Sequence, residues 1–319
     1  MNTRETLLDN ITKSKWRIIL PLLSLFVISA VHAENRCQEV PFVLQVLGSG
    51  GPEMSDGRAS TSYVVWKNGK AIVLVDAGGG SSLRFEQSGA QIETLQAVAF
   101  THLHVDHSAA FPVLIKAAYF SSRSVELPIF GPSGNALLPS ITEFVNRLFG
   151  MRGVWPYLND FLPGKPGSAP FKIKPVIVKP DRNNVQTVYS KDGVTLKTIA
   201  VHHGPLTALA WRIESQGKSV TISGDMNGDY GTLDDLALGT ELLVAHHAIP
   251  EDATGVARKL HMPPSMIGTI ASKAKAKQLV LSHRMRRTIG QEDSTKEILR
   301  SSFTGRIAFA DDLDCFLIN

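Results

Sequence analysis

The segment Thr101-His102-Leu103-His104-Val105-Asp106-His107 packs three imidazoles and a carboxylate into six residues, directly after the apolar run Ala97–Thr101. Such groups cannot enter an apolar core unpaired. A tight turn at the end of a buried strand can instead aim them at one small volume. Imidazole nitrogen with carboxylate oxygen is a donor set that zinc favours. Two histidines at i and i+2, then Asp and His, can serve two adjacent cations, one pair to each. Two divalent cations about 3.5–4 Å apart would bind one water and lower its pKa towards ~7, making it a nucleophile for phosphorus, sulfur or a carbonyl carbon. A structural zinc site would be closed and often cysteine-rich. Here the two cysteines, Cys37 and Cys315, lie far along the chain from the histidine groups.

Ten histidines occur in all, and the rest of interest are His202, His203, His246, His247, His261 and His283. They must be carried to one place by the elements between them. Strand signals fall at Pro41–Leu47, Ser62–Trp66, Ala71–Val75, Ala97–Thr101, Phe171–Val178, Val194–Val201, Ala208–Ile213, Ser219–Ser223, Leu242–Ala245, Gln278–Leu281 and Asp314–Ile318. Asn68-Gly69 marks a hairpin. Helices are expected over 108–121, after the capping box Ser140-Ile141-Thr142-Glu143, near Ser265–Lys275, and after a second box at Ser294-Thr295-Lys296-Glu297. Residues 151–170, with Trp155, Tyr157 and Phe161, read as a connector or a substrate lid. Gly78-Gly79-Gly80 lacks the Lys-Ser/Thr of a phosphate loop and fits a tight turn beneath the metals. The three lysines in Ser272–Lys277 read as a solvated helix face. This order predicts one α/β domain of two packed mixed sheets with helices outside.

The chain has 319 residues, 43% hydrophobic and 19% charged, with a net charge of +4 and no long basic block. That excludes disorder, a disulfide-dense miniature scaffold and a nucleic-acid binder held by bulk charge. The single long apolar run, Ile18–Ala30, follows Lys13, Lys15 and Arg17 and ends in Val31-His32-Ala33. Basic, apolar and small-residue regions in that order predict a secretory signal over 1–33, cleaved before Glu34. The expected compartment is then secreted or periplasmic, with no transmembrane segment in the mature chain. An oxidising compartment permits a Cys37–Cys315 bridge, though sequence leaves it open against two unpaired thiols.

His-x-His-x-Asp-His after an apolar strand is the signature of the metallo-β-lactamase superfamily, and this chain resembles that family over nearly all of residues 34–319. Gly48-Ser49-Gly50 and Val75-Asp76-Ala77-Gly78 look like its early loops. His202-His203-Gly204-Pro205, Ser223-Gly224-Asp225 and Leu281-Ser282-His283 look like its later ligand motifs. With His261-Met262-Pro263-Pro264 between the last two, the order is similar to the ribonuclease Z and arylsulfatase-like branch. The resemblance implies a four-layer αββα sandwich. It implies one metal on His102, His104 and His203, a second on Asp106, His107 and His283, and Asp225 as the bridge. His202 is the alternative to His203. His261 and Asp106 are the catalytic candidates, His261 as proton donor or oxygen holder. In that branch a glutamate after the next strand partners the catalytic histidine. Here His247 holds the place, so that relay departs from the pattern.

The cofactors expected are two divalent ions, zinc first, with manganese or iron as alternatives. The expected activity is an exported dinuclear hydrolase of phosphodiesters or related small anionic esters. Arg284, Arg286 and Arg287 beside His283 read either as attractors of the anion or as structural and solubility residues. Alternatives with the same site are lactone, thioester, aryl sulfate or β-lactam hydrolysis. A catalytically silent metal-binding protein is the alternative of another class. Ribonuclease Z carries a long tRNA-gripping arm with no equivalent in this sequence, and no stable nucleic-acid partner is expected. Oligomeric state is open, with a homodimer among the options.

Overall fold

Strand after strand is apolar on both faces, and this decides the architecture, because such strands must be covered twice. In the computed structural model, which describes residues 37–319, the strands in chain order are β1 (Phe42–Gly48), β2 (Ser62–Lys67), β3 (Lys70–Val75), β4 (Ala97–Ala99), β5 (Leu127–Pro132), β6 (Ile173–Val178), β7 (Gln186–Lys191), β8 (Val194–His203), β9 (Leu206–Ser215), β10 (Lys218–Ile222), β11 (Leu242–His246), β12 (Gln278–Ser282), β13 (Arg306–Phe309) and β14 (Cys315–Leu317). They form two seven-stranded sheets, ordered β14-β1-β2-β3-β4-β5-β6 and β13-β12-β11-β10-β9-β8-β7. Each sheet is mixed. The first runs parallel from β3 to β6, the second from β10 to β13. The expected signal segment lies outside the described residues. Among the described residues no helix is long and apolar enough to cross a membrane.

The period-two alternation sorts side chains into layers. On β1, Phe42, Leu44 and Val46 face the opposite sheet, while Val43 and Leu47 face helices. On β11, Leu242 and Val244 point inward and Leu243 and Ala245 outward. The outer face of the first sheet is covered by α1 (Ser81–Gln87), α3 (Phe111–Ala117) and α4 (Ile141–Phe149), through Phe85, Phe111, Ile115, Val145 and Phe149. A short α2 (Val105–Ser108) precedes α3. The second sheet is covered by α5 (Leu233–Leu236), α7 (Pro264–Lys273) and α8 (Glu292–Arg300), with α6 (Gly255–Leu260) at the edge. This is the four-layer αββα sandwich.

Several local expectations hold. Asn68 and Gly69 both take positive φ in the β2–β3 hairpin, as its two-residue turn demands. Ser140 Oγ caps α4 by accepting from the Glu143 amide at 3.2 Å. Lys273, Lys275 and Lys277 are solvated as expected while Ala274 and Ala276 are buried, but they do not share a helix face, since α7 ends at Lys273 and Lys275 takes positive φ. The bridge that the sequence left open is formed: Cys37 and Cys315 are joined by a disulfide that ties the described N-terminus to β14, with their Cα atoms 5.6 Å apart.

Others need correction. The helix expected over 108–121 starts at Val105 and breaks before Phe111, because α2 must turn Asp106 and His107 into the site before the chain can continue; Pro112 begins a new helix. The box at Ser294 is not a cap, since α8 begins at Glu292 and Ser294 lies within its first turn. Residues 151–170 follow the connector reading, anchored through their middle. Leu158 and Phe161 are buried in the outer core of the first sheet, the Phe161 ring 4.7 Å from that of Tyr119 and 5.3 Å from that of Phe171. Trp155 packs against the same core and Tyr157 is exposed.

Candidate metal centre

The histidine groups converge because each follows the C-terminal end of a strand, where open α/β sheets place their ligands. The 102–107 loop follows β4, Asp225 follows β10, His246 closes β11, His283 follows β12, and His203 ends β8 at its hairpin with β9. Leu103 is buried and anchors the loop, so its neighbours turn towards the cleft. The Ala77 amide donates to the His107 carbonyl at 2.7 Å, and the Ala110 amide to the Ala77 carbonyl at 2.8 Å. Gly78 allows this clamp: a Cβ there would lie 2.2 Å from the Asp106 carbonyl oxygen. The tight glycine turn thus sits directly under the ligand loop. Gly51 plays a similar part, since its Cβ would meet the His283 ring at 2.8 Å. His283 itself takes the left-handed conformation at φ 53°, uncommon for a residue other than glycine.

Two sets of donors form. His102, His104, His203 and Asp225 make the first. His102 Nε2 and His104 Nδ1 are 3.0 Å apart, and His203 Nε2 is 3.6 Å from Asp225 Oδ2. His107, Asp225, His246 and His283 make the second. Asp106 reaches this set too, its Oδ2 lying 3.3 Å from His283 Nε2 and 3.5 Å from His107 Nε2. Asp225 belongs to both sets. Its Oδ2 faces His203 Nε2 at 3.6 Å and His107 Nε2 at 3.7 Å. Of the adjacent pair, His203 turns inward, while His202 is partly exposed against Asp229 and the Tyr230 ring.

The donors fit metal ions. The Nε2 atoms of His107 and His203 are buried without a hydrogen-bond partner, a costly state that an ion at these positions would relieve. Their other nitrogens are fixed. His107 Nδ1 meets Asp76 Oδ2 at 2.8 Å, and His203 Nδ1 donates to the Leu260 carbonyl at 3.0 Å. Such outer partners set the tautomer and orientation of a ligand. Asp76 is held in turn by the Thr101 amide and hydroxyl, each at 2.8 Å.

Electrostatics follow from burial against charge pairing. Burial lowers His102, His104 and His203. It also opposes charge on His107, but Asp76, Asp106 and Asp225 outweigh it and hold the ring well above its ordinary range. Burial would raise Asp225, yet His283 and His107 keep its carboxyl well below the usual carboxylate range. Asp106, likewise opposed by burial, is brought to about 2 by His107 and His283. His261 is buried beside the sets, its ring centroid 5.5 Å from that of His203 and 5.8 Å from that of His283. Burial pushes it down to about 3.

The structure bears on two points that the sequence left open. His247 does not reach His261. It points to the outer face, its Nε2 3.4 Å from Thr295 Oγ1 and its ring 5.9 Å from that of Phe309. Alternation along β11 sends His246 inward and His247 outward. Arg284 does not await an anion: it is buried, paired with Glu292 and, at 3.3 Å, with Asp311. Arg287 Nε donates to the Ala248 carbonyl at 2.6 Å. Sequence reasoning named Asp76 and His246 without giving either a role, and missed Tyr63. The first two were visible as polar residues closing apolar strands; Tyr63 gave no signal.

The pattern described as Metallo-beta-lactamase superfamily matches residues 55–267. The chain belongs to this superfamily. It is a metal-dependent hydrolase. Ribonuclease Z of Mycolicibacterium paratuberculosis is 31% identical over 281 residues, spanning 84% of this chain and 95% of that relative. The fold is also that of human tRNase Z, short form, with TM-score 0.66, 20% identity and coverage of 87% and 99%. The superfamily protein YhfI from Bacillus subtilis matches with TM-score 0.65, 22% identity and coverage of 86% and 99%.

Proposed function

We propose that this hydrolase holds two divalent ions, zinc first, and cleaves phosphodiesters. The observation that carries the reading is Asp225, shared by both donor sets, with one oxygen facing His203 and His107 at 3.6 and 3.7 Å. His102, His104 and His203 would hold one ion, and Asp106, His107 and His283 the other. When bound, such a pair activates water near neutral pH and neutralises charge on the ester oxygens. The chain's own residues do the rest. Asp225 and Asp106 orient the ligand rings around them. His261 stands at the rim, where its ring can hold a non-bridging oxygen or pass a proton to the leaving group. It is neutral at pH 7 as it stands, with burial holding it near about 3; an anionic ester beside it would raise its pKa and favour the acid form.

Export is part of the proposal. The basic, apolar and small-residue order of residues 1–33 and the Cys37–Cys315 bridge support an oxidising compartment. A small anionic ester suits that location. A second reading, an RNA substrate, is favoured by the ribonuclease Z relatives, which this chain matches over almost their whole length. The test is a rate panel on zinc- or manganese-loaded protein: an aryl phosphodiester, a structured RNA, an aryl sulfate, a lactone and a β-lactam. Fastest turnover of the aryl phosphodiester is expected. Cleavage of RNA at far higher kcat/KM would select the second reading. Turnover confined to the lactone or β-lactam would overturn both. The mature N-terminus, read by mass spectrometry from fractionated cells, is expected to be Glu34.

A further inference from the structure

His246 lies outside the ligand set expected from the sequence, and both of its ring nitrogens are engaged. Nδ1 is 2.7 Å from Asp225 Oδ1, and Nε2 is 3.1 Å from Tyr63 Oη. An ionised carboxylate only accepts, so Nδ1 carries the proton and donates. In that neutral tautomer Nε2 accepts, and the Tyr63 hydroxyl donates to it. The chain of two hydrogen bonds crosses from β2 of one sheet to the β10 and β11 ends of the other. All three side chains are buried, at 0%, 1% and 2% exposure for Tyr63, His246 and Asp225.

The same geometry separates His246 from the metal ligands. His107 and His203 each aim an unpartnered buried Nε2 at the site. His246 offers none. The second donor set is complete without it, because Asp106 Oδ2 reaches His283 Nε2 at 3.3 Å and His107 Nε2 at 3.5 Å.

We propose that Tyr63 and His246 form a strut that grips Oδ1 of Asp225 and thereby turns Oδ2 towards both metal positions, so that His246 is a positioning residue and not a ligand. The inference rests on the metal-binding reading above. Oδ1 also lies 3.3 Å from His283 Nε2, so it touches a ring of the second set only, whereas Oδ2 faces one ring of each set, His203 at 3.6 Å and His107 at 3.7 Å. Fixing Oδ1 by a directed hydrogen bond removes the freedom that would otherwise be lost when ions bind.

The test is zinc binding to metal-depleted wild-type protein and to His246→Ala, His246→Asn and Tyr63→Phe, followed by competition titration and metal analysis. The wild type is expected to take two ions per chain. His246→Ala should still take two at saturation, with affinity reduced about 10- to 100-fold. Asn can place an amide N–H where Nδ1–H stood, so His246→Asn should recover most of that loss. Tyr63→Phe should lose about tenfold or less, the worth of one neutral hydrogen bond. In zinc-loaded wild type, the nitrogen NMR spectrum of His246 should keep the proton on Nδ1. Binding of only one ion by His246→Ala, or loss of the Nδ1 proton on zinc loading, would make His246 a ligand and overturn the strut alone. Zinc affinity unchanged in both His246→Ala and Tyr63→Phe, with only the metal-free melting temperature lowered, would reduce the pair to a core hydrogen bond and also overturn it. A wild type that takes no zinc would overturn the metal reading and the strut together. If His246→Ala does not fold, the Asn and Tyr63→Phe variants carry the same comparison.

Discussion

The carboxylate Asp76 shows what one buried residue does for a site it does not enter. It fixes His107 through Nδ1 and is itself pinned by Thr101. Asp76→Asn keeps the shape but presents an amide where a carboxylate balanced the ring. Zinc affinity in a competition titration should fall about 10- to 100-fold, with the melting profile of the metal-free protein changed less. His247 is the contrasting case, a buried ring on the outer face with no part in the site. Burial, helped by Arg284, pushes it down to about 4. The unfolded chain therefore binds a proton at His247 that the folded chain refuses, in the window from about 6.5 down to about 4. Stability must fall as pH drops through that window, by about 3 kcal/mol at the limit. Denaturant unfolding of the metal-free protein at pH 7 and pH 5 should show a smaller drop for His247→Asn than for wild type. Equal drops would show that His247 does not contribute.

At the scale of elements, the ligand loop depends on a glycine turn more than on any helix. Gly78→Ala puts a Cβ 2.2 Å from the Asp106 carbonyl and 2.7 Å from the Ser60 carbonyl carbon, backbone on both sides. The loop must move, at a cost of about 2 kcal/mol or more, and zinc affinity should fall with it. At Gly79 the nearest atom to a new Cβ is Ser60 Oγ at 3.7 Å, so Gly79→Ala should stay within about 0.5 kcal/mol in the same unfolding measurement. The elements legible in the sequence were those with clear periodicity or turn chemistry: β1, the β2–β3 hairpin, β4, β6, β8 to β12, β14, α4 and α7. β5 was hidden because Pro128 and Pro132 argue against a strand between two others. β7 and β13 were hidden as the two edges of the second sheet, β7 polar and exposed and β13 without a fully buried residue. The helix expected over 108–121 was misjudged because ligand geometry, which periodicity does not record, interrupts it.

For the whole molecule, motif order was enough to name the αββα sandwich and to bring His102, His104, Asp106, His107, His203, Asp225 and His283 together. It put His203 ahead of His202 but kept His202 as the alternative, because their facing depends on strand alternation at the very end of a strand. The disulfide closes a separation of 278 residues and ties the described N-terminus to the sheet edge, away from the donor sets. Cys315→Ser should lower stability by about 2–5 kcal/mol while leaving zinc stoichiometry unchanged at 25 °C. A variant that lost zinc as well would show that the edge strand supports the site.

The most direct test of the central claim is the initial rate of aryl phosphodiester hydrolysis by zinc- or manganese-loaded protein, with Asp225→Ala as the comparison. The metal-centre account predicts clear turnover by wild type, abolished by a chelator, restored by the ion, and reduced by about a thousandfold or more in Asp225→Ala, as expected when the residue shared by both donor sets is lost. Wild type with two ions bound and no turnover, or an Asp225→Ala protein as active as wild type, would contradict it.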